Sequence, residues 1–451
     1  MRVNHLFATC LAAVLLSGIT TAETALKPIQ FSDTRLSNGL RVIVSEDHYA
    51  PIYSIAVSYS VGSKDERPGR TGFAHLFEHM MFKGSENVGP GEHFFLIFNY
   101  GGNMNGTTNT DRTVYYETMP KNQLDLGLFL ESDRMRSLAI TKENLDNQRQ
   151  AVQEERRLRL DNQPYGKSQE RFNELVYDNP AYKHSVIGSM EDLNAATVDD
   201  VSSFFRTYYA PNNAVVAIVG DVDTKATLAK IEKYFGTIPR QPNPVPVDLS
   251  EKDINGERRE TMQDPLARVA QINIGYRIPP ATHADWPALS AAGQVLGGGE
   301  SSRLYQRVVK DKELCSSIGA GAGTRVGPGI FTITCSVRPG KNIADAEAAI
   351  EEEVSRMRAG PVTPDELQKI RVGARRNAVA LRENSLSRAN SLADNAALYN
   401  DPNRVNSLPE KVASATMAEV QRVVSTYLNT SNRVVVQTLP GAAPAAAPTT
   451  R

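Results

Sequence analysis

The sequence of 451 residues is short of cysteine, of tryptophan and of net charge: it has three Cys, one Trp, and 50 Lys plus Arg against 51 Asp plus Glu. So few cysteines exclude a disulfide framework and a cysteine zinc cage. Balanced charge without a long basic block leaves a nucleic-acid partner no electrostatic footprint, so none is expected. No transmembrane segment is expected either. The apolar run Leu6 to Leu16, after the early cation Arg2, is too short to span a bilayer and reads as the core of a secretory signal. Thr20 and Ala22 are the small residues before a cut at Glu23, which would remove residues 1–22 and Cys10 with them. The stretch lacks the Arg- and Ser-rich amphipathic character of a mitochondrial transit peptide, and Thr9 before Cys10 is a poor lipobox residue. The sequence thus predicts a soluble exported protein, in the periplasm. Cys315 and Cys335 remain, and their spacing alone does not decide whether they join.

What is present is a duplication. "TVDDVSSFFRTYYAPNNAVVAIVGDV" and "TMAEVQRVVSTYLNTSNRVVVQTLPG" match at a constant offset of 219, pairing Thr197 with Thr416, Val201 with Val420, Tyr208 with Tyr427, Asn213 with Asn432 and Val215 with Val434. Each reads as a Thr N-cap with an acid three residues on, an amphipathic helix, a turn and a Val-rich strand. Upstream, "IYSIAVSYSVG" corresponds to "VAQINIGYRIP". The Pro-rich, charged stretch 241–258 reads as a linker between a first domain, 23–240, and a second, 259–440, with a disordered tail at 441–451. The predicted fold class is α+β: two homologous halves of mixed strands and long helices, including one capped at Thr363.

The chemistry concentrates in "GFAHLFEHMMFKG", residues 72–84. On a helix His75 and His79 stand at i and i+4 on one face with Glu78 beside them, among Leu76, Phe77, Met80, Met81 and Phe82. An unpaired Glu78 would be costly there, and a metal resolves that cost. The pattern H-x-x-E-H is the inverted zincin motif. Catalytic zinc usually takes three protein ligands and one open position, so a third ligand must come from elsewhere. On spacing alone, both Glu154 and Glu155 in "NQRQAVQEERRLRLDN" qualify. The second half keeps the helix, as "WPALSAAGQVLGGG", and drops the histidines. "GGGESS" lacks the Gly-Lys-Ser/Thr of a phosphate loop and reads as a helix junction.

These residues, with "GGNMNGTTNTDRTVYYETMP", "QRQAVQEERR", "GSMEDL" and "LGGGESSRLYQ", make the chain resemble the pitrilysin, insulysin and mitochondrial processing peptidase family of inverted zincins, in its short bacterial two-domain form, from about residue 30 to 440. The family's third ligand lies about 76 residues after the second histidine; 155 − 79 = 76, so the resemblance selects Glu155. It implies that the two homologous halves are α/β sandwiches, each a mixed sheet packed with helices, with one Zn2+ per chain on His75, His79 and Glu155, Glu78 as general base, and hydrolysis of peptides or unfolded segments. It further implies substrate added as a β-strand, for which "TDRTVYYETM" alternates like an edge strand; Asn105 in the loop before it, Thr113 and Tyr115 are the candidate substrate-binding residues. His184 matches a recurrent family position and reads as a structural hydrogen bonder, whereas His48, His93 and His283 have no identifiable partner.

The sequence departs from the family in three places. Gln148 stands where many members have a supporting glutamate, and Val309 and Ser316 stand where active single-chain members have an Arg and a Tyr that reach the substrate. In this branch the two functions can be split between subunits, which implies a catalytic subunit paired with a homologous non-zinc subunit carrying the Arg/Tyr pair. The alternatives are a non-catalytic structural subunit and a peptide-binding chaperone that retains zinc.

Overall fold

The structure is a computed structural model that describes residues 26–441. The predicted signal and most of the predicted tail lie outside the described residues.

The first half runs β1 (Ser32–Arg35), β2 (Arg41–Glu46), β3 (Ile52–Tyr59), α1 (Phe73–Met80), α2 (Glu92–Asn99), β4 (Asn103–Thr108), β5 (Thr113–Pro120), α3 (Leu124–Arg136), α4 (Lys142–Arg156), α5 (Gly166–Val176), α6 (Pro180–Lys183), α7 (Met190–Asn194), α8 (Val198–Tyr208), β6 (Ala214–Gly220) and α9 (Thr224–Phe235). After a stretch without helix or strand, the second half runs β7 (Arg258–Asp264), β8 (Gln271–Ile278), α10 (Trp286–Gly297), β9 (Cys315–Ala322), β10 (Gly329–Val337), α11 (Ile343–Ala359), α12 (Pro364–Glu383), α13 (Ser385–Tyr399), α14 (Arg404–Ala413), α15 (Met417–Tyr427) and β11 (Arg433–Pro440).

The two sheets have one topology. The first is ordered β1-β2-β6-β3-β5-β4 and the second β7-β11-β8-β10-β9, so the first differs only by the added outer strand β1. In each, one pair is parallel, β2 with β6 and β7 with β11, and the rest are antiparallel. Register repeats as well: Tyr59 lies opposite Ala214, and Tyr276 opposite Arg433. Thr197 with Asp200 and Thr416 with Glu419 form matching capping boxes, each satisfying two otherwise unpaired helix N–H groups. Asn213 Nδ2 donates to Tyr208 O and Asn432 Nδ2 to Tyr427 O, both at 2.8 Å.

The halves exchange one helix each. α13 of the second half covers the outer face of the first sheet, where Ala389, Leu392 and Ala393 pack with Ile43, Ala56 and Val219. α5 of the first half covers the second sheet, where Phe172 and Val176 pack with Val434 and Val436. The two helices begin at residues 166 and 385, again 219 apart. Each sheet has apolar residues on both faces, so neither half encloses its own core without the other.

Cys315 and Cys335 are joined, with Cα atoms 6.1 Å apart, tying β9 to β10. Among the described residues no helix is long and apolar enough to cross a membrane. The predicted edge strand needs correction. "TDRTVYYETM" supplies β5, an inner strand between β3 and β4, and the edge is β4, on which Asn105 itself lies. Alternating burial is shared by edge strands and inner strands, so periodicity cannot distinguish them.

Candidate active site

α1 begins without a side-chain cap, at Gly72 in the left-handed region (φ 85°), and a Cβ there would fall 2.5 Å from Ile187 O. The cap comes from outside: Glu66 accepts from Gly72 N at 2.8 Å and Ala74 N at 2.7 Å. Burial holds the Glu66 carboxyl well above its ordinary value, partly countered by those two bonds. Sequence reading missed Glu66; the signal was a helix start lacking a Ser, Thr, Asp or Asn of its own.

Phe73, Ala74, Leu76, Phe77 and Met80 press α1 into the core, leaving the other face for His75 and His79, whose ring centroids are 4.8 Å apart. α4 packs beside it, capped by Thr141, and brings Glu155 to the histidines. Glu155 Oε2 lies 3.6 Å from His75 Nε2 and 3.2 Å from His79 Nε2. Its other oxygen pairs with Arg159 at 2.6 Å. Glu154 is exposed and pairs with Arg157. A hydrogen bond with His79 and the nearby His75 hold the Glu155 carboxyl below its ordinary value despite burial. Burial, with His79 adjacent, pushes the His75 imidazole down to about 4, leaving it neutral as a ligand must be. Two imidazole nitrogens and a carboxylate oxygen, all within 4.8 Å, are a donor set that zinc accepts.

Glu78 is buried beside this cluster and faces β4. Thr108 Oγ1 donates to its Oε2 at 2.6 Å, and Gly106 makes room for it, since a Cβ there would lie 3.1 Å from Glu78 Cγ and 3.3 Å from Oε1. Burial raises the Glu78 carboxyl above its ordinary value, and the Thr108 bond and His79 counter it. Thr108 was not foreseen, because only the fold brings β4 under α1.

The other candidates divide. Asn105 is exposed on β4, and its Oδ1 accepts from Gly106 N. Thr113 and Tyr115 do not reach the open edge: both are buried, Thr113 donating to Val61 O and Tyr115 Oη lying 3.3 Å from Tyr209 Oη. Gln148 is buried on α4 and donates to Asn147 Oδ1. Val309 packs in the second-half core, and Ser316 Oγ donates to Ser336 O. His184 Nδ1 lies 3.1 Å from Ser185 O. His48 meets Asp221 at 2.7 Å and His283 Nδ1 accepts from Asp285 N, so both have partners that sequence did not reveal.

The first half, residues 41–188, matches the family model described as insulinase (peptidase family M16), and residues 195–372 match that of the peptidase M16 inactive domain. The chain belongs to peptidase family M16. It is 28% identical over 405 residues to the zinc protease PqqE of Helicobacter pylori, covering 89% of this chain and 91% of that protein. A solved protease structure from the same organism superposes with a TM-score of 0.88 at 27% identity, over 92% of this chain and 100% of that one. The first half of the periplasmic protease PqqL of Escherichia coli has the same fold, with a TM-score of 0.75 at 21% identity over 92% and 93% of the two chains. The M16 assignment agrees with a first half that carries the H-x-x-E-H helix and a second that lacks it.

Proposed function

We propose that this M16 protein is a zinc-dependent endopeptidase acting on peptides or unfolded segments. The observation that carries this is the convergence of His75, His79 and Glu155 beside a buried Glu78 that faces an open sheet edge. His75, His79 and Glu155 would hold the metal, which when bound supplies a Lewis acid that polarises the scissile carbonyl and acidifies water. Glu78 takes the proton from the attacking water and returns it to the leaving amine; Thr108 occupies Oε2, which leaves Oε1 for that transfer. An extended substrate pairs with the free side of β4, with Asn105 available to its backbone. The relatives' names, zinc proteases, support the reaction class, and the shared fold of PqqL, a periplasmic protease, supports a periplasmic location.

The partner reading rests on Val309 and Ser316. Neither is a cationic or phenolic donor, so a homologous non-zinc subunit carrying the Arg/Tyr pair completes the site. The test is zinc content and peptide turnover of the purified chain, alone and mixed with a co-expressed paralogue. One zinc per chain, lost in Glu155→Gln and kept in Glu154→Gln, with turnover that rises on mixing, is the expected result. Full zinc without turnover in either setting would favour the non-catalytic subunit.

A further inference from the structure

The core of the first half holds a second cluster of ionisable groups, which the proposed reaction does not use. His93 on α2, Glu117 on β5 and Glu131 on α3 bring ligand-type atoms within 4.8 Å of one another, and all three are buried. Glu131 is already neutralised. Arg134, three residues on, pairs with its carboxylate through Nε at 3.0 Å and through Nη2, and lies 4.5 Å over the Tyr115 ring. Glu117 has no such partner: both its oxygens are buried without a hydrogen bond, as are His93 Nε2 and Arg134 Nη1. His93 Nε2 stands 4.0 Å from Glu117 Oε2 and 4.0 Å from Glu131 Oε1. Tyr53 and Tyr59 of β3 and Tyr115 of β5 face the cluster, and Gly127 of α3 approaches so closely that a Cβ would lie 2.4 Å from Glu117 Oε1.

Charge decides what completes it. With both carboxylates ionised, Arg134 charged and His93 neutral, the cluster carries one surplus negative charge in the interior, which is costly. One proton restores neutrality, whereas a divalent cation would overshoot by one charge beside a guanidinium. We propose that Glu117 holds this proton as a neutral carboxylic acid on β5, 4.0 Å across from the neutral His93 Nε2 on α2, and that this neutral pair positions α2 and the edge strand β4 that follows it.

The electrostatics agree. Burial, reinforced by Glu131, holds the Glu117 carboxyl well above its ordinary value, and burial with Arg134 holds His93 well below its own. α2 is held by few side chains: His93 and Ile97 are buried, Phe94 and Leu96 pack partly buried against the core, Phe95 and Phe98 are 63% and 55% exposed, and its N-cap Gly91 contributes no side chain. Tyr100 to Gly102 then lead directly into β4.

The linkage has a definite sign. A carboxyl raised by folding contributes stability that is fully present below its unfolded value, near 4.5, and is lost as pH rises. Glu117→Gln keeps the shape and a donor but cannot ionise. Its melting temperature relative to wild type should therefore become more favourable from pH 5 towards pH 9, and the carbonyl band of a protonated acid, present in the wild-type infrared difference spectrum at pH 7, should vanish. A constant gap in melting temperature, no such band, or a second metal ion per chain that Glu117→Gln removes would overturn the proposal. The positioning role rests on the proposed peptidase reading. There His93→Leu should raise KM about threefold to tenfold with kcat nearly unchanged, and His93→Gln, which keeps a neutral polar group facing the acid, should restore it. Unchanged KM in His93→Leu would reject the positioning role. Absence of turnover in the wild type would reject the peptidase reading alone, since the melting and infrared measurements do not depend on it.

Discussion

The same helix position has opposite uses in the two halves. In the first, α1 carries His75, Glu78 and His79 over β4, and the strand supplies the small residue, Gly106, that leaves room for the glutamate. In the second, α10 carries no ionisable side chain, and the helix supplies the small residues. A Cβ on Gly297 would fall 2.1 Å from Ala320 N, and one on Gly293 2.9 Å from Gly321 Cα. Helix and edge strand are thus in backbone contact, with no space for a metal or a substrate-activating group between them. One duplicated frame can keep its sheet, its caps and its register while a few side chains under one helix decide whether it holds a cluster of ligand-type groups or a packed interface.

The largest test of this comparison is to separate the halves. Residues 26–240 expressed alone lack α13, which exposes the outer face of the first sheet; we expect loss of the cooperative thermal transition and aggregation, read by near-ultraviolet circular dichroism and light scattering. A monomeric, cooperatively melting fragment would show that the helix exchange is dispensable. The next effect is confined to the first half. Glu78→Gln should retain zinc and lower peptide turnover by about 10² to 10⁴, and turnover near wild type would remove Glu78 from the base role. Confined to the second half is the Cys315–Cys335 bridge: its double Ser variant should lose about 3 kcal/mol in denaturant unfolding, by the loop-closure argument for a short loop. A loss of zinc in that variant would contradict the separation of roles. The smallest effect should be common to both halves. Thr197→Ala and Thr416→Ala each remove a capping box and should cost about 1 kcal/mol apiece; clearly unequal costs would mean that the two caps differ in their tertiary support.

Much of this was legible in the chain because it is written in short-range periodicity. The two segments that match at an offset of 219, the caps at Thr197, Thr363 and Thr416, and the pairing of His75 with His79 are each patterns of residues within a few turns of one another. Long-range placement was less accessible. Alternation puts Thr113 and Tyr115 on a strand with two faces without revealing which strands flank it, so the inner position of β5 is not legible in it. His93 had no partner in sequence because Glu117 and Glu131 approach it from two other elements, and Glu66 and Thr108 reach α1 only after the chain has turned back on itself.

The sequence by itself determined the duplication, the α+β class and the helix that bears two histidines and a glutamate, since each is a local pattern of apolar spacing and side-chain chemistry. Only the tertiary structure decided that β4 is the open edge, that Cys315 meets Cys335, that α5 and α13 change places, and that a carboxyl and an imidazole face each other in the interior. Those outcomes depend on which distant surfaces bury each other, a choice governed by the free energy of the whole packed molecule and by no single segment of it.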